Sequence, residues 1–250
     1  MKRRCGFCMK VTVVGFWGGF PQANGASSGY LLQDKNFNLL IDCGSAVLSK
    51  VQQYINIMEI DAVILSHYHH DHVADIGPLQ YGRMIHTMLG KGNAELPIYG
   101  HASDDEEFKR LTRLPYTKGY AYNPEQDLKL GPFSIQFLKT KHPVICYAMR
   151  ITNGEKTIVY TADSSFLPEF IDFSVNADLL ICECNLYSGQ DGAGSGHMTS
   201  TEAGKIAKRA NVGKLLLTHL PYYGDHRNLV EQAKVIYDGP IELAQEGWTY

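Results

Sequence analysis

Short apolar runs and amphipathic segments alternate along the chain, without an internal repeat or a low-complexity tract. Runs of this length, rich in Val, Ile, Leu, Phe and Tyr and separated by turn residues, are typical of β-strands. We expect strands at 10–16, 29–32, 38–41, 61–65, 133–138, 157–161, 178–182 and 214–218. Because strands and helices interleave and no Pro/Ser-rich linker divides them, the pattern predicts one domain over 9–250.

Helical periodicity is strongest in the segment 42–60, which begins with a turn and an N-cap at Ser45. The helix that follows places four apolar side chains on one face: Val47, Val51, Tyr54 and Ile55. Further helices are expected at 76–89, 199–210 and 226–237. The helix at 199–210 begins with TSTE, a capping signal.

Composition restricts the class of protein. Of the 250 residues, 44% are hydrophobic and 20% are charged, so the chain can bury a large core and is not of disordered composition. The net charge of −3 does not indicate the basic surface of a typical nucleic-acid binder. No apolar run approaches the roughly eighteen residues that a membrane span needs, so no membrane partner is expected.

The N-terminal residues and the cysteines indicate a cytoplasmic protein. Residues 1–8 are interpreted as a loose extension; their basic residues imitate a signal peptide, but Lys10 interrupts the apolar run and no small-residue cleavage site follows. Cys5 and Cys8 form half of a zinc-knuckle pattern and are interpreted as two free thiols. The six cysteines show no disulfide spacing, which fits a reducing compartment.

Four of the ten histidines lie in the segment SHYHHDH at 66–72, directly after a predicted strand. In an extended segment residues i and i+2 point to the same side, so His67 and His69 can bind one ion together. Asp71 and His72 follow where the chain turns and can face a second ion. Because one zinc ion needs only three or four ligands, the segment predicts two ions whose shells other loops complete.

Three further candidate ligands each close an apolar, β-rich run. His142 follows FSIQFLKTK, Asp163 follows TIVYTA, and His219 follows KLLLT. Loops at the ends of strands are common positions for binding residues, because the scaffold beneath them is rigid. Four remaining histidines are expected to be structural or solvated: His70, which faces away from the ions, His86, His101 and His226.

A glycine-rich segment, GFWGGFPQANGASSG at 15–29, follows the first predicted strand. It lacks the Gly-Lys-Ser/Thr ending of a P-loop and the spacing of a dinucleotide fingerprint. We interpret it as a loop near the mouth of the site. Its aromatic residues, Trp17 and Phe20, are expected to pack in the core rather than form the wall of the site.

Taken together, these residues resemble the metallo-β-lactamase superfamily, and most closely its phosphodiesterase branch typified by tRNase Z, the ELAC-type tRNA 3′-processing endonuclease. The resemblance runs from about residue 9 to the end. It rests on Asp42 in LLIDCG, the segment SHYHHDH, His142, Asp163, and GHMTSTEAGKIAKRANVGKLLLTHL at 196–220. It implies an α/β fold, a four-layer sandwich in which helices flank two mixed β-sheets.

The resemblance also implies how the ligands divide between two zinc ions, for which manganese is a possible substitute. One ion is expected to be held by His67, His69 and His142. The other is expected to be held by Asp71, His72 and His219. Asp163 would bridge the two ions, and Asp42 would orient a ligand by hydrogen bonding, a role that metal sites generally require.

Catalysis is assigned on the same resemblance to Asp71, His197 and Glu183. His197, in GHMT, would contact the scissile phosphate and protonate the leaving oxygen, while Glu183, in LLICECN, would orient this histidine. The family usually has a histidine just before the glutamate, where this chain has Cys182. The implied reaction is hydrolysis of phosphodiester bonds by water that two zinc ions activate.

Most tRNase Z enzymes carry a long tRNA-binding arm between the third histidine and the bridging aspartate. Here that window, 143–162, has twenty residues and predicts two strands joined by an Asn153-Gly154 turn, so it leaves no room for an arm. The expected protein is therefore a tRNase Z-like endoribonuclease for tRNA precursors that lacks the arm, and the resemblance further implies a homodimer. The alternatives are hydrolysis of small phosphodiesters such as cyclic nucleotides, thioester or lactam hydrolysis, and metal binding without catalysis.

Overall fold

Two mixed β-sheets form the centre of the molecule, which a computed structural model describes for residues 9–92 and 95–250. The first sheet contains, in spatial order, β1 (Lys10–Gly15), β2 (Gly29–Asp34), β3 (Phe37–Ile41), β4 (Ala62–Ile64), β5 (Leu96–Gly100) and β6 (Thr117–Ala121). Neighbours from β1 to β3 are antiparallel, and neighbours from β3 to β6 are parallel. The expectations for residues 1–8, including the Cys5 and Cys8 pair, lie outside the described residues.

The second sheet has the same mixture of directions. It contains, in spatial order, β13 (Ile241–Leu243), β12 (Leu215–Thr218), β11 (Leu179–Glu183), β10 (Thr157–Tyr160), β9 (Tyr147–Thr152), β8 (Phe133–Lys139) and β7 (Leu128–Leu130). The strands β10 to β13 are parallel, whereas β7 to β10 are antiparallel. Among these parallel strands, β10, β11 and β12 therefore end at the same edge of the sheet.

Helices cover the outer face of each sheet. The first sheet is covered by α1 (Val47–Val51), α3 (Ile76–Met88) and α4 (Asp105–Arg110), and the short α2 (His70–Val73) lies at its edge. The second sheet is covered by α5 (Glu169–Phe173), α6 (Ser200–Arg209) and α7 (Arg227–Lys234). A third apolar core lies between the two sheets. These layers confirm the expected four-layer sandwich.

The central strands are buried on both faces, which explains why the sequence shows them as continuous apolar runs. In β3, Leu39 and Ile41 face the core between the sheets, whereas Leu40 faces the helices. All three side chains are at most 2% exposed. The strands expected from the pattern are present with ends shifted by at most two residues, while β5, β6, β7 and β13 were not among them.

Two local predictions are confirmed. The helix α6 begins with a complete capping box, in which the Thr199 side chain accepts from the Glu202 amide and the Glu202 side chain accepts from the Thr199 amide. The strands β9 and β10 form a tight hairpin in which Thr152 pairs with Thr157. Within the described residues, no helix has the length and apolarity that a membrane span requires.

The prediction for 42–60 was wrong in two respects. The helix α1 has only five residues, and its N-cap is Ala46, with a φ of 66° and no side-chain hydrogen bond, rather than Ser45. The Leu48 amide donates instead to Asp75 Oδ2 at 2.8 Å, so the cap comes from a distant residue. After α1 the chain turns, and Asn56 begins a separate 3-10 turn over Ile57–Glu59.

Candidate metal centre

Seven of the predicted site residues meet at the edge where the two sheets present their strand ends. His67, His69, Asp71 and His72 lie on the loop that follows β4 and on the first turn of α2. Asp163 follows β10, and His219 directly follows β12. His142 lies in the connection between β8 and β9. Because the ends of parallel strands share an edge, side chains far apart in the sequence converge here.

The first candidate ligand group contains His67, His69, His142 and Asp163, whose ligand atoms all lie within 4.8 Å of one another. The Nε2 atom of His142 lies 3.0 Å from His69 Nδ1. The Nε2 atom of His67 lies 3.8 Å from Asp163 Oδ2. Three imidazole nitrogens and a carboxylate thus point into one small space.

The second group contains Asp71, His72, Asp163 and His219, and these four ligand atoms also lie within 4.8 Å of one another. The Nε2 atom of His219 lies 3.2 Å from both Asp71 Oδ2 and Asp163 Oδ2. The Oδ1 atom of Asp163 lies 3.3 Å from His72 Nε2. Asp163 belongs to both groups, so the two groups share one carboxylate.

Asp42 fixes the orientation of the second group. Its Oδ2 atom accepts from His72 Nδ1 at 2.7 Å and from the hydroxyls of Ser66 and Tyr160, each at 2.9 Å. Its Oδ1 atom accepts from the Ser66 amide at 2.8 Å. Because Nδ1 of His72 is occupied by this bond, its Nε2 is the atom presented to the group. Neither Ser66 nor Tyr160 was predicted from the sequence.

The backbone at the site is strained at three positions. Asp42, Ala162 and His219 have φ values of 56°, 51° and 52°, in the left-handed region that non-glycine residues seldom adopt. Two of these residues are themselves in the site, and Ala162 precedes the shared Asp163. Such strain persists only where the surrounding structure maintains it. The fold therefore places these residues in the site at some cost in conformational energy.

The donor set fits a pair of divalent cations. His67 Nε2, His72 Nε2 and Asp163 Oδ1 are buried and make no hydrogen bond of normal geometry within the described part of the chain, a costly arrangement unless a ligand pairs with them. Burial lowers the pKa of His67, which favours the neutral imidazole that ligates metals. Burial alone would lower the pKa of His72, but the Asp163 and Asp42 carboxylates outweigh burial and raise this pKa. The space between these side chains therefore attracts positive charge. Imidazole and carboxylate ligands suit zinc and manganese.

His197 lies beside these groups and is held by Glu183. The Nδ1 atom of His197 donates to Glu183 Oε1 at 2.9 Å. Burial lowers the pKa of His197, but the adjacent Glu183 carboxylate outweighs it and raises this pKa to about 9. Glu183 is fully buried and also accepts from the amides of Ser164, Asn185 and Met198 at 3.0–3.2 Å. The Glu183 carboxylate therefore orients the imidazole and favours its protonated form.

Cys182, where the resemblance leads one to expect a histidine, takes no part in this pair. Adjacent residues of a strand point to opposite faces of the sheet. Glu183 faces the site, and Cys182 packs in the apolar core beneath the helices of the second sheet. In this chain backbone amides, and not the residue at position 182, bind the Glu183 carboxylate.

A cavity of about 310 Å³ opens above the candidate ligands. The glycine-rich loop reaches it through Gly18, Gly19 and Phe20, as expected for a loop near the mouth. Trp17 is buried, in agreement with the prediction of core packing, but Phe20 is 52% exposed, so that prediction was wrong for Phe20. The Gly19 amide donates to Asp71 Oδ2 at 2.7 Å, a contact that no sequence pattern indicated.

The four histidines expected to lie outside the metal groups do so. His70 is exposed, and His86 is on α3. His226 precedes α7, and its Nε2 atom donates to the Pro221 carbonyl at 2.6 Å. His101 is 3% exposed, so it is buried rather than solvated, and its ring lies 4.5 Å from that of Tyr68.

The fold and the histidine–carboxylate clusters define a metal-dependent hydrolase. Residues 23–219 match the Metallo-beta-lactamase superfamily, and the chain belongs to that family. It is 59% identical over 242 residues to the Bacillus subtilis protein named probable metallo-hydrolase YhfI, covering 97% of this chain and 99% of the relative. The crystal structure of YhfI superposes with a TM-score of 0.96 over 97% of this chain and 98% of YhfI.

Two more distant solved structures share the fold. The short form of human tRNase Z (ELAC1) is 18% identical, with a TM-score of 0.75 over 97% of this chain and 98% of that protein. A diphosphatase of the PhnP family is 16% identical, with a TM-score of 0.76 over 97% of each chain. At these identities the superpositions show a shared architecture only. The chemistry of this chain depends on its own site residues, described above.

Proposed function

We propose that the protein hydrolyses phosphodiester bonds with the help of two divalent ions, zinc in the first instance. The carboxylate of Asp163, shared by two ligand groups, is the observation that carries this proposal. Paired ions a few ångströms apart are characteristic of enzymes that displace groups at phosphorus. The names of the superposed tRNase Z and PhnP-family diphosphatase support phosphorus chemistry.

The proposed ligands divide as the geometry groups them. His67, His69, His142 and Asp163 would hold one ion, and Asp71, His72, His219 and Asp163 would hold the other. When bound there, the ions would supply Lewis-acid charge and lower the pKa of bound water towards neutrality. Asp42 holds His72 in the tautomer that presents Nε2 inward.

His197 provides the proton that the leaving oxygen needs. Its Nδ1 atom is bonded to Glu183, so Nε2 is the atom free to donate into the cavity that His197 lines. General acid catalysis of this kind contributes roughly 10²–10⁴-fold. Glu183 acts as a positioning residue, since its carboxylate fixes the ring and stabilises its charge. Asp71 contributes as a ligand in contact with His219.

Two substrate classes follow from this chemistry. A tRNase Z-like endoribonuclease would lack the long arm, because β9 and β10 join in a tight hairpin. The cavity of about 310 Å³ instead favours a small phosphodiester such as a cyclic nucleotide. Thioester or lactam hydrolysis at the same ions is the remaining alternative. A homodimer, a cytoplasmic location and a single catalytic domain over 9–250 stay predictions.

A substrate panel tests the proposal with protein loaded with zinc and, separately, with manganese. We expect turnover of bis-p-nitrophenyl phosphate and of 2′,3′-cyclic nucleotides, with little turnover of a chromogenic cephalosporin or a glutathione thioester. Cleavage of a 3′-extended tRNA precursor measures the endoribonuclease alternative. The matched control is Asp163→Asn, which removes the shared charge and should abolish every metal-dependent activity. Turnover of the lactam or thioester alone would overturn the proposal.

A further inference from the structure

Three large aromatic side chains stand exposed at the mouth of the cavity, Phe20, Tyr222 and Tyr223, and the first two are the more exposed. Phe20 is 52% exposed and Tyr222 is 59% exposed, although apolar rings gain free energy from burial. Their ring centroids lie 5.0 Å apart at an interplanar angle of 43°. Both residues line the cavity that also contains His197 and the candidate ligands. We call Phe20 and Tyr222 the aromatic wall.

The aromatic wall is attached to the metal centre on both sides. The Gly18 amide donates to the Leu220 carbonyl at 3.1 Å, which joins the loop of Phe20 to the segment of Tyr222. A Cβ atom on Gly18 would lie 2.8 Å from the His219 ring, so the loop packs directly on a candidate ligand. The Gly19 amide bonds to Asp71 on the other side. The wall therefore stays at a fixed position relative to the reacting centre.

The charge of the cavity distinguishes between large and small phosphodiesters. Among the described residues that line it, none is a lysine or an arginine. A polyanionic RNA gains most of its affinity from contacts between such cations and its phosphates. A single nucleotide brings one phosphodiester, which the metal centre accommodates, and one flat base, which needs an aromatic surface. The lining thus matches the second ligand.

We propose that the aromatic wall binds the base of a mononucleotide phosphodiester and determines the specificity of the site. This inference rests on the proposed phosphodiesterase function and deepens it. Stacking of a base on an aromatic side chain changes affinity by about 5- to 100-fold. The wall touches the base rather than the reacting phosphorus, so its removal affects KM and leaves kcat nearly unchanged.

The test compares two substrates with the same reacting group. Adenosine 2′,3′-cyclic phosphate carries a base, and glycerol 1,2-cyclic phosphate carries none. In the metal-loaded double variant Phe20→Ala/Tyr222→Ala, KM for the adenosine substrate should rise about 5- to 100-fold. In the same variant, kcat/KM for the glycerol substrate should change by less than about 2-fold. A separate variant that keeps both rings, Phe20→Tyr/Tyr222→Phe, should keep the original KM for the adenosine substrate. Tyr81→Ala, which removes a comparably exposed aromatic from α3, should alter neither substrate.

A binding measurement separates failure of this inference from failure of the proposed function. Calorimetric titration with AMP and with ribose 5-phosphate reports base recognition without turnover. If the unaltered protein hydrolyses none of the phosphodiesters in the panel, the phosphodiesterase proposal fails, and the titration still decides the role of the wall. Weaker AMP binding by the alanine variant, with ribose 5-phosphate binding unchanged, supports the wall. Equal effects on both ligands, or more efficient cleavage of a tRNA precursor than of the cyclic nucleotide, overturn it.

Discussion

Replacing His197 with alanine separates two roles that its position allows. The side chain lines the cavity and donates to Glu183 at 2.9 Å, as a general acid held by a carboxylate would. However, Glu183, His197 and His219 also have ligand atoms within 4.8 Å of one another, close enough to hold an ion themselves. His197→Ala removes the acid in the first case and a metal ligand in the second.

The structure predicts the size of the effect. Loss of a general acid lowers kcat by roughly 10²–10⁴-fold, which corresponds to about 2.7–5.5 kcal/mol of transition-state stabilisation. Neither of the two groups that share Asp163 contains His197, so metal content should stay constant. Glu183 keeps three backbone amide donors after the substitution, so its buried charge remains hydrogen-bonded. The loss should therefore fall on turnover.

The assay exploits the leaving group. A p-nitrophenolate departs readily without a proton, whereas a nucleoside alkoxide requires one. His197→Ala should thus reduce kcat much more for adenosine 2′,3′-cyclic phosphate than for bis-p-nitrophenyl phosphate. Metal content measured by mass spectrometry should match that of the unaltered protein. An equal loss on both substrates, accompanied by loss of one ion, would refute the role as acid and identify His197 as a ligand.

Two further predictions concern the metal centre itself. Asp42→Asn keeps a residue that tolerates the φ of 56°, but it replaces the carboxylate that accepts from His72 with a neutral amide. Zinc affinity measured by chelator competition should therefore fall about 10–100-fold. Unchanged affinity would contradict the orienting role. Removal of metal with a chelator should lower Tm, and zinc at a thousand times its Kd should restore about 4 kcal/mol, or roughly 8–16 °C for a chain of this size. A Tm that does not respond to zinc would show that the buried Nε2 atoms of His67 and His72 are stable without a bound ion.

Much of the candidate site could be predicted because its residues follow directly after apolar strands. His219 comes immediately after β12, and His67 comes three residues after the last residue of β4. A strand fixes where its last residue lies, and the loop then has little freedom to carry the next side chain elsewhere. The periodicity of the strands was therefore sufficient to predict which side chains converge.

Contacts between distant residues left no comparable trace. The cap of α1 comes from Asp75, which lies 27 positions after Leu48. The capping box formed by Asn56 and Glu59 is a local signal, but the apolar pattern of 42–60 outweighed it in the prediction of one long helix. Phe20 was assigned to the core on its apolar character alone. In the folded chain it lies at the exposed mouth of the cavity beside Tyr222, a residue about two hundred positions away.

The charges of the site favour a substrate whose reacting group is an anionic phosphodiester over one whose reacting group is an uncharged lactam or thioester. Asp71 and Asp163 are the carboxylates that line the described cavity, and burial lowers the pKa of His69 and His142 beside them, which keeps those rings neutral. Two carboxylates would offset half the charge of two divalent ions and leave a positive excess, while the Glu183 carboxylate balances a protonated His197. A phosphodiester carries the negative charge that such an excess attracts, and its transition state concentrates more charge on the phosphoryl oxygens. A lactam or thioester develops that charge only during reaction, so it gains less from this centre when it binds.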